Sequence, residues 1–431
     1  MRNWKGNLMS IKKGEWEKLF RNPVLIVLTG IFLIYNFILI NDNSYIKGGL
    51  YETNKLISQV GYKVDEDMFK KLENMYDEKM KDLNELTERK LHKTFESMDG
   101  FLADKDLDKW IYGEKVFSKE DMDLINQLST INLYKNVIPE FIHRIESLDY
   151  EEMAEDTIDD YGVKGEAANL VKKNYEDLGV RLKELKGNGE HKNLFFFGVN
   201  YRTQNLLYKK VIGACLIEIM ILVVLGVCFL VNYERENKTL GLVSTTKRGR
   251  NLIKDKAIVG LSYSILAAII ILGITLIVYF SVFDYGNIWN VPISSALNWE
   301  LGPHISWYNL TVLQNLLLSI GVVLIISLIS GGISLSLCLF LKSSYKAFFA
   351  FFILFGGLYM LPGLFSMSSK LVIWSYFNIF ILTLNPQKWF AEAGALLTSK
   401  YYIEGTLISN GVIVTIISLI LIKKFKKVDI L

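Results

Sequence analysis

Cysteine, histidine and proline are scarce in this chain of 431 residues, which contains 3 Cys, 4 His and 6 Pro. Cys215, Cys228 and Cys338 all fall within apolar segments, where cysteine is expected to pack as a small hydrophobic residue. The polar part of the chain therefore has neither a disulfide framework nor a cysteine-ligated metal site. The histidines show no paired spacing of the H-E-x-x-H kind, so we predict no metal site.

Nucleotide-binding and catalytic signatures are also missing. No G-x-x-x-x-G-K-[ST] segment occurs, so we do not expect the chain to hold ATP phosphates by itself. No catalytic triad pattern or glycine-rich cofactor motif stands out, and we predict no catalytic or cofactor-binding residue. A membrane enzyme, such as an acyltransferase or an intramembrane protease, is disfavoured because no His or Cys in an apolar run has a nucleophile or a metal ligand as partner.

Charge is distributed unevenly along the chain. Residues 42–208 carry 34 acidic and 24 basic side chains, whereas the remainder carries 11 acidic and 24 basic ones. The net charge of +3 therefore conceals an acidic polar block within a basic, apolar remainder.

Long apolar runs point to a membrane protein, because about 20 apolar residues in a helix cross the hydrocarbon core. Six spans are predicted, at residues 24–40, 211–231, 257–283, 310–341, 347–364 and 407–422. Small residues at 327–336 of the fourth span predict close contacts with neighbouring helices. The apolar run 371–384 has only 14 residues, so we predict that 366–404 is an outer re-entrant segment and not a seventh span.

The basic segment before the first span is predicted to form an amphipathic elbow helix at the membrane interface. Trp16, Leu19 and Phe20 recur at i, i+3 and i+4 and would share its apolar face, with lysines nearby for lipid headgroups. A signal peptide is disfavoured because no small-residue cleavage site follows, while a disordered basic leader remains an alternative. Residues 1–41 thus comprise the elbow helix and the first span.

Residues 42–208 carry helical signals between the first two spans. Apolar residues recur at helical spacing through 65–96 and 170–185, and Ser118 followed by Asp121 resembles a capping box. We predict a largely helical domain inserted between the first and second spans, followed by a transmembrane domain at 209–431.

The distribution of Lys and Arg over the short loops predicts the orientation. The amino-terminal segment, the loop 232–256 and the carboxy-terminal tail are rich in basic residues, whereas the loop 284–307 has none. We therefore expect a multi-pass plasma-membrane protein with both termini in the cytoplasm and with 42–208 and 366–404 outside. The expected fold class is an all-α polytopic membrane protein with six transmembrane helices and a helical extracellular domain.

The loop 232–256 reads NYERENKTLGLVSTTKRGRNLIKDK. This pattern resembles the ABC-2 type of ABC transporter permease, which often reads E-x-x-x-G-T-x-x-x-L…T-P-x-x-R…K after its second span. The chain departs from that pattern in two places. Asn237 and Lys238 replace the glycine before Thr239, and Lys247 stands where proline is common.

The resemblance implies a coupling helix in this loop that docks on a cytoplasmic ABC ATPase dimer, which would bind ATP and Mg²⁺ in place of this chain. A second permease copy or a homologous permease would complete the transporter, with membrane lipid around it and no role for nucleic acid. The insertion between the first two spans resembles Gram-positive permeases for antimicrobial-peptide export or bacteriocin immunity, implying a peptide-like or amphipathic substrate. The coupling residues would be Glu234, Glu236, Thr239, Leu240, Leu242, Val243, Arg248 and Arg250.

Two other interpretations of these features stay open. The loop could be an ordinary polybasic segment that holds anionic lipid. The whole chain could be a non-transporting membrane sensor or scaffold with a helical ectodomain.

Glu218 is the one carboxylate well inside a clear span. A charge at that depth costs about 2.5–3.5 kcal/mol on insertion scales, so the side chain should face a cavity or a partner. It is a candidate for the translocation path, and an interhelical hydrogen bond is the alternative.

Overall fold

The computed structural model describes residues 2–113, 115–193, 201–246, 248–294, 305–392 and 394–427, without the side chains of 2–10, 201 and 395. These residues form helices joined by turns and contain isolated β-bridges but no strand, which confirms the predicted all-α class. The α-helices are α1 (Arg2–Phe20), α2 (Pro23–Asp42), α3 (Lys47–Val60), α4 (Glu66–Leu91), α5 (Met98–Leu102), α6 (Lys119–Glu146), α7 (Tyr150–Asp160), α8 (Gly165–Asn188), α9 (Tyr201–Asn205), α10 (Gly213–Glu236), α11 (Leu240–Ser244), α12 (Leu252–Val282), α13 (Val312–Leu341), α14 (Ser344–Met360), α15 (Lys370–Ser375), α16 (Ile379–Leu384) and α17 (Tyr402–Lys427).

Six of the described helical segments are long and apolar enough to cross a membrane, as predicted. We call them TM1 (Pro23–Asp42), TM2 (Arg202–Glu236), TM3 (Gly249–Val282), TM4 (Val312–Leu341), TM5 (Ser344–Leu364) and TM6 (Tyr402–Lys427). TM1, TM2 and TM6 extend beyond the predicted apolar runs at both ends, and TM3 and TM5 extend at their starts. TM4 begins two residues later than predicted, at Val312. The three cysteines are buried within these helices without disulfides.

TM2 is the centre of the helical body. Its most apolar window is 72% buried by the rest of the chain, against 11% for TM6. TM2 begins before its apolar run, because a π-helical segment (Leu206–Ile212) joins α9 to α10. The lipid-facing surface is therefore supplied mainly by the outer helices, of which TM1, TM5 and TM6 are the least buried.

TM4 packs closely through its small residues. A Cβ atom at Gly332 would lie 2.6 Å from Val414 Cγ1 on TM6, and one at Gly331 would lie 2.4 Å from a serine oxygen on TM3. Ser336 on TM4 is hydrogen-bonded to Ser418 on TM6, with 2.8 Å between their hydroxyl oxygens. The close helix contacts predicted for the small residues at 327–336 are therefore confirmed.

Within the predicted domain 42–208, the described residues 44–113 and 115–193 form helices around two apolar cores. The first is continuous with the core of the membrane helices, and the second is separate. Residues that form the second core are Met80, Leu83, Leu86, Met98, Phe101, Trp110, Phe117, Ile125 and Leu128. The predicted capping box at the start of α6 is present: Asp121 N donates to Ser118 Oγ (3.2 Å), and Ser118 N donates to Asp121 Oδ2 (2.7 Å).

This domain is hydrogen-bonded to the connections between the spans. Asn54 Nδ2 donates to the Asp284 carbonyl (2.5 Å), and its Oδ1 accepts from Asn287 N (2.9 Å). Arg181 Nε donates to the Ser306 carbonyl at 2.8 Å. The contacts join α3 and α8 to the segment between TM3 and TM4, so the domain rests directly on the helical body.

The segment 366–404 contains the short helices α15 and α16 in place of one span. Asn378 separates them and caps α16, because its Oδ1 accepts from Phe380 N and Ile381 N, both at 3.1 Å. The apolar run 371–384 is thus broken in the middle, so it cannot cross a membrane as a continuous helix.

Candidate functional site

The connection between TM2 and TM3 is shorter than the predicted loop 232–256. Helix α10 runs to Glu236 and α12 begins at Leu252, so only 237–251 lies between them. Lys238 has a φ of 58°, the left-handed conformation that glycine adopts more readily. The turn closes through Thr239 N, which donates to the Glu234 carbonyl at 2.8 Å. The chain thereby leaves α10 sharply and enters α11.

Helix α11 presents apolar side chains at the surface. Leu242 is 73% exposed, and Leu240 and Val243 are half-buried. Burying a leucine contributes about 1.5–3 kcal/mol, so such an exposed leucine on a short helix is suited to a partner's groove. Of the eight predicted coupling residues, Leu242 is the one most available for such a contact.

Glu234 has a different environment from the one predicted, because it is buried at the end of α10. Its Oε1 accepts from Lys18 Nζ on α1 at 2.6 Å, and its Oε2 is bound by Lys256 Nζ on α12. Lys18 also donates to Glu15 Oε1 at 2.6 Å. We call Glu15, Lys18, Glu234 and Lys256 the junction cluster. Its charges join the elbow helix, TM2 and TM3.

Burial by itself lowers the pKa of Lys18, but hydrogen bonds and charge attraction from Glu15 and Glu234 outweigh it and raise that pKa above the usual lysine value. Lys18 therefore stays charged at neutral pH. The sequence carried only weak signals of this cluster: Glu15 and Lys18 are spaced i, i+3, and Lys256 directly precedes the apolar run 257–283.

The other predicted coupling charges also contact their own chain. Glu236 Oε1 accepts from Ser344 N at the start of TM5 (3.0 Å). Arg248 donates two hydrogen bonds to Asp255 on α12, at 2.7 and 2.8 Å. Arg250 donates to a carbonyl in the last turn of TM6 at 3.0 Å. These hydrogen bonds attach the connection between α10 and α12 to the ends of TM3, TM5 and TM6.

The three predicted elbow residues differ in burial. Leu19 is buried (2% exposed), whereas Phe20 is 58% exposed and stacks on Trp16 with 5.3 Å between ring centroids. The helix packs against TM2 and TM3, with Glu15 and Leu19 buried. The interfacial role of Trp16, Leu19 and Phe20 stays a prediction.

Glu218 joins three spans. Asn36 Nδ2 on TM1 donates to Glu218 Oε2 on TM2 at 2.7 Å and approaches Thr275 Oγ1 on TM3 at 3.1 Å. The interhelical hydrogen bond that the sequence left as one alternative is therefore present, and it satisfies the buried carboxyl. A role in a translocation path stays a prediction.

These features define the class of the chain: an α-helical, multi-pass membrane protein with an exposed apolar helix between TM2 and TM3. No protein-family model matches the chain, and neither a curated protein nor a solved structure matches it. Its resemblance to ABC-2 permeases therefore rests on the residues of the TM2–TM3 connection and on the order of its spans.

Proposed function

We propose that this chain is the membrane-spanning permease subunit of an ABC-2-type exporter. It would move a peptide-like or amphipathic substrate outward, together with a second copy or a homologous permease. A separate cytoplasmic ATPase dimer would bind ATP and Mg²⁺ and supply the energy. The observation that carries the proposal is helix α11, whose exposed Leu242 projects from a connection otherwise tied to the spans.

The contacts around α11 give a physical route for coupling. ATP-driven motion reaches the membrane only through an element with two discrete arrangements that the ATPase can bias. Force applied to α11 would pass to TM2 through Thr239, to TM3 through Arg248 and Asp255, and to TM6 through Arg250. The junction cluster would carry it on to the elbow helix.

The proposed orientation places both termini and α11 in the cytoplasm, with 42–208 and 366–404 outside. The concentration of Lys and Arg in the amino-terminal segment, the TM2–TM3 connection and the tail supports it. The plasma membrane is the proposed location.

A non-transporting sensor or scaffold is the second candidate. The hydrogen bonds from Asn54 and Arg181 to the segment between TM3 and TM4 favour it, since a ligand on the domain could act on the spans through them. A sensor of this kind needs no ATPase. Stimulation of an ATPase by the chain therefore separates the two candidates.

The decisive experiment uses Leu242→Asp, with Leu242→Met as the matched control that keeps an apolar side chain. Each variant is co-expressed with a P-loop ATPase encoded by a neighbouring gene, purified, and assayed for association and ATP turnover. We expect Leu242→Asp to lose both, with an unchanged elution volume and unfolding temperature, and Leu242→Met to keep both. Unaltered association of Leu242→Asp, or ATP hydrolysis by the purified chain alone, would contradict the proposal.

A further inference from the structure

An apolar cleft opens beside the elbow helix. It has a cavity of about 200 Å³ among α1, TM1, TM2 and TM3, and an open groove of about 490 Å³ between α1 and TM3. Both are lined by Phe20 and Leu266, so they are adjacent. We call the two together the elbow cleft.

The interior of the elbow cleft is suited to hydrocarbon. The hydroxyl groups that line the 200 Å³ cavity are already paired: Thr29 Oγ1 donates to the Leu25 carbonyl (2.8 Å), and Tyr263 OH donates to the Leu222 carbonyl (3.3 Å). A buried water needs two to four polar partners, which these walls do not offer. A Cβ at Gly226 would lie 2.2 Å from the Tyr263 ring, so this glycine lets the ring lie against TM2 as a wall of the cavity.

Lys12 and Arg21 flank, along the chain, the residues of α1 that line the elbow cleft, and we call these two side chains its cationic rim. Lys12, Trp16 and Phe20 follow one another at i, i+4 and i+8 on α1, which places the lysine along the face that borders the groove. Arg21 follows Phe20 directly, is exposed, and its side chain has no ion pair or hydrogen bond within the described part of the chain. A cationic rim over an apolar interior complements an anionic headgroup attached to an acyl chain.

We propose that the elbow cleft binds an anionic glycerophospholipid of the surrounding membrane. Its acyl chain lies in the cavity beside Ala267 and Leu25, and its headgroup phosphate pairs with Arg21 and Lys12. The lipid contacts the elbow helix, TM1 and TM3, at a surface that the side chains of the junction cluster do not cover. The site needs neither transport nor an ATPase, so it stands independently of the proposed function.

The test uses Trp16, which lines the groove, as an internal probe. The full-length protein is placed in nanodiscs with increasing fractions of brominated phosphatidylglycerol or brominated phosphatidylcholine, since bromine quenches tryptophan fluorescence on contact. The difference between the natural protein and Trp16→Phe isolates the Trp16 signal. We expect phosphatidylglycerol to quench Trp16 at a mole fraction several-fold lower than phosphatidylcholine does.

Two variants locate the site. Arg21→Gln removes one of the two rim charges and should weaken the preference for phosphatidylglycerol. Ala267→Leu fills the cavity and should weaken quenching by both lipids. Ala257→Leu is its matched control, because Ala257 lies on the same helix but lines the groove between TM3, TM4 and TM6. It should leave quenching unchanged.

Equal quenching of Trp16 by the two lipids in the natural protein would mean ordinary annular lipid and would overturn the proposal. A preference that Arg21→Gln leaves unchanged would overturn it as well. Both results are obtained even if Ala267→Leu fails to fold, because Arg21 is exposed.

Discussion

The junction cluster and the domain 42–208 both contain ion pairs, but they bury them to different extents. At the junction, Glu234 and Lys256 are 5% and 2% exposed. In the domain, the side chains of Lys172 and Glu155 are 48% and 58% exposed. Exposed pairs contribute about 0–1 kcal/mol, whereas removing one member of a buried pair costs about 3–5 kcal/mol. The same residue types thus have structural importance in one region and little in the other.

One ion pair in the domain is buried like those of the junction cluster, and its position shows why. Arg181 and Glu190 are both buried, and Arg181 also donates to the Ser306 carbonyl between TM3 and TM4. This pair lies where the domain meets the helical body, just as the junction cluster lies where the elbow helix meets TM2 and TM3. Deep burial of charge therefore marks the places where segments far apart in sequence are held together.

The largest effect is expected from Glu234→Gln. The substitution removes one of the two carboxylates that Lys18 and Lys256 share, since Glu15 stays 2.6 Å from Lys18 Nζ and 3.7 Å from Lys256 Nζ. We therefore expect a loss of about 3 kcal/mol of stability, the lower end for a buried pair. The unfolding temperature in detergent and the hydrogen exchange of α1 would both report it. Glu236→Gln, on an exposed carboxylate two residues away, is the control. Equal behaviour of the two variants would show that burial does not set the importance of these charges.

A smaller effect is expected from Arg181→Met. Glu190 keeps a hydrogen bond from Asn188 after the arginine is removed, so the loss should be about 1.5–3 kcal/mol. It should appear as faster hydrogen exchange and proteolysis where the domain contacts the segment between TM3 and TM4. Arg144→Met, which breaks an exposed pair with Glu140, is the comparison and should change neither. An undisturbed contact in Arg181→Met would show that the other hydrogen bonds suffice to hold the domain.

The smallest effect is expected from Asp121→Asn at the start of α6. Burial alone would raise the pKa of Asp121, but hydrogen bonds from Lys90 and Ser118 outweigh it and lower that pKa below the usual value. Because the folded-state pKa is depressed, this stabilisation is complete above about pH 4 and is lost as the pH falls further. The variant should therefore lose about 1 kcal/mol at neutral pH, seen as faster exchange of the first amides of α6.

The difference between Asp121→Asn and the natural protein should shrink on acidification. Lys172→Gln breaks an exposed ion pair that belongs to no helix cap. It should leave the amide exchange of α6 unchanged at neutral and at low pH. A difference in α6 that persists at low pH would mean that the carboxylate charge is not its source.

The order and number of the membrane spans could be predicted from the sequence because their signals are local. Apolar runs of sufficient length predicted all six spans. Ser118 and Asp121, spaced three residues apart as in a capping box, predicted the start of a helix. The position of α11 could also be anticipated, since Leu240, Leu242 and Val243 form an apolar strip between two polar stretches. Helix ends were less predictable: α12 begins at Leu252 because polar residues extend it by a turn beyond the apolar run.

Partnerships between distant residues were beyond the sequence. Glu234 and Lys18 are 216 positions apart, and Glu218 and Asn36 are 182 apart, so no spacing rule relates them. The sequence by itself determined the spans, because composition and periodicity act over a few helical turns. Only the tertiary structure decided which charges are buried together, because burial depends on which helices become neighbours.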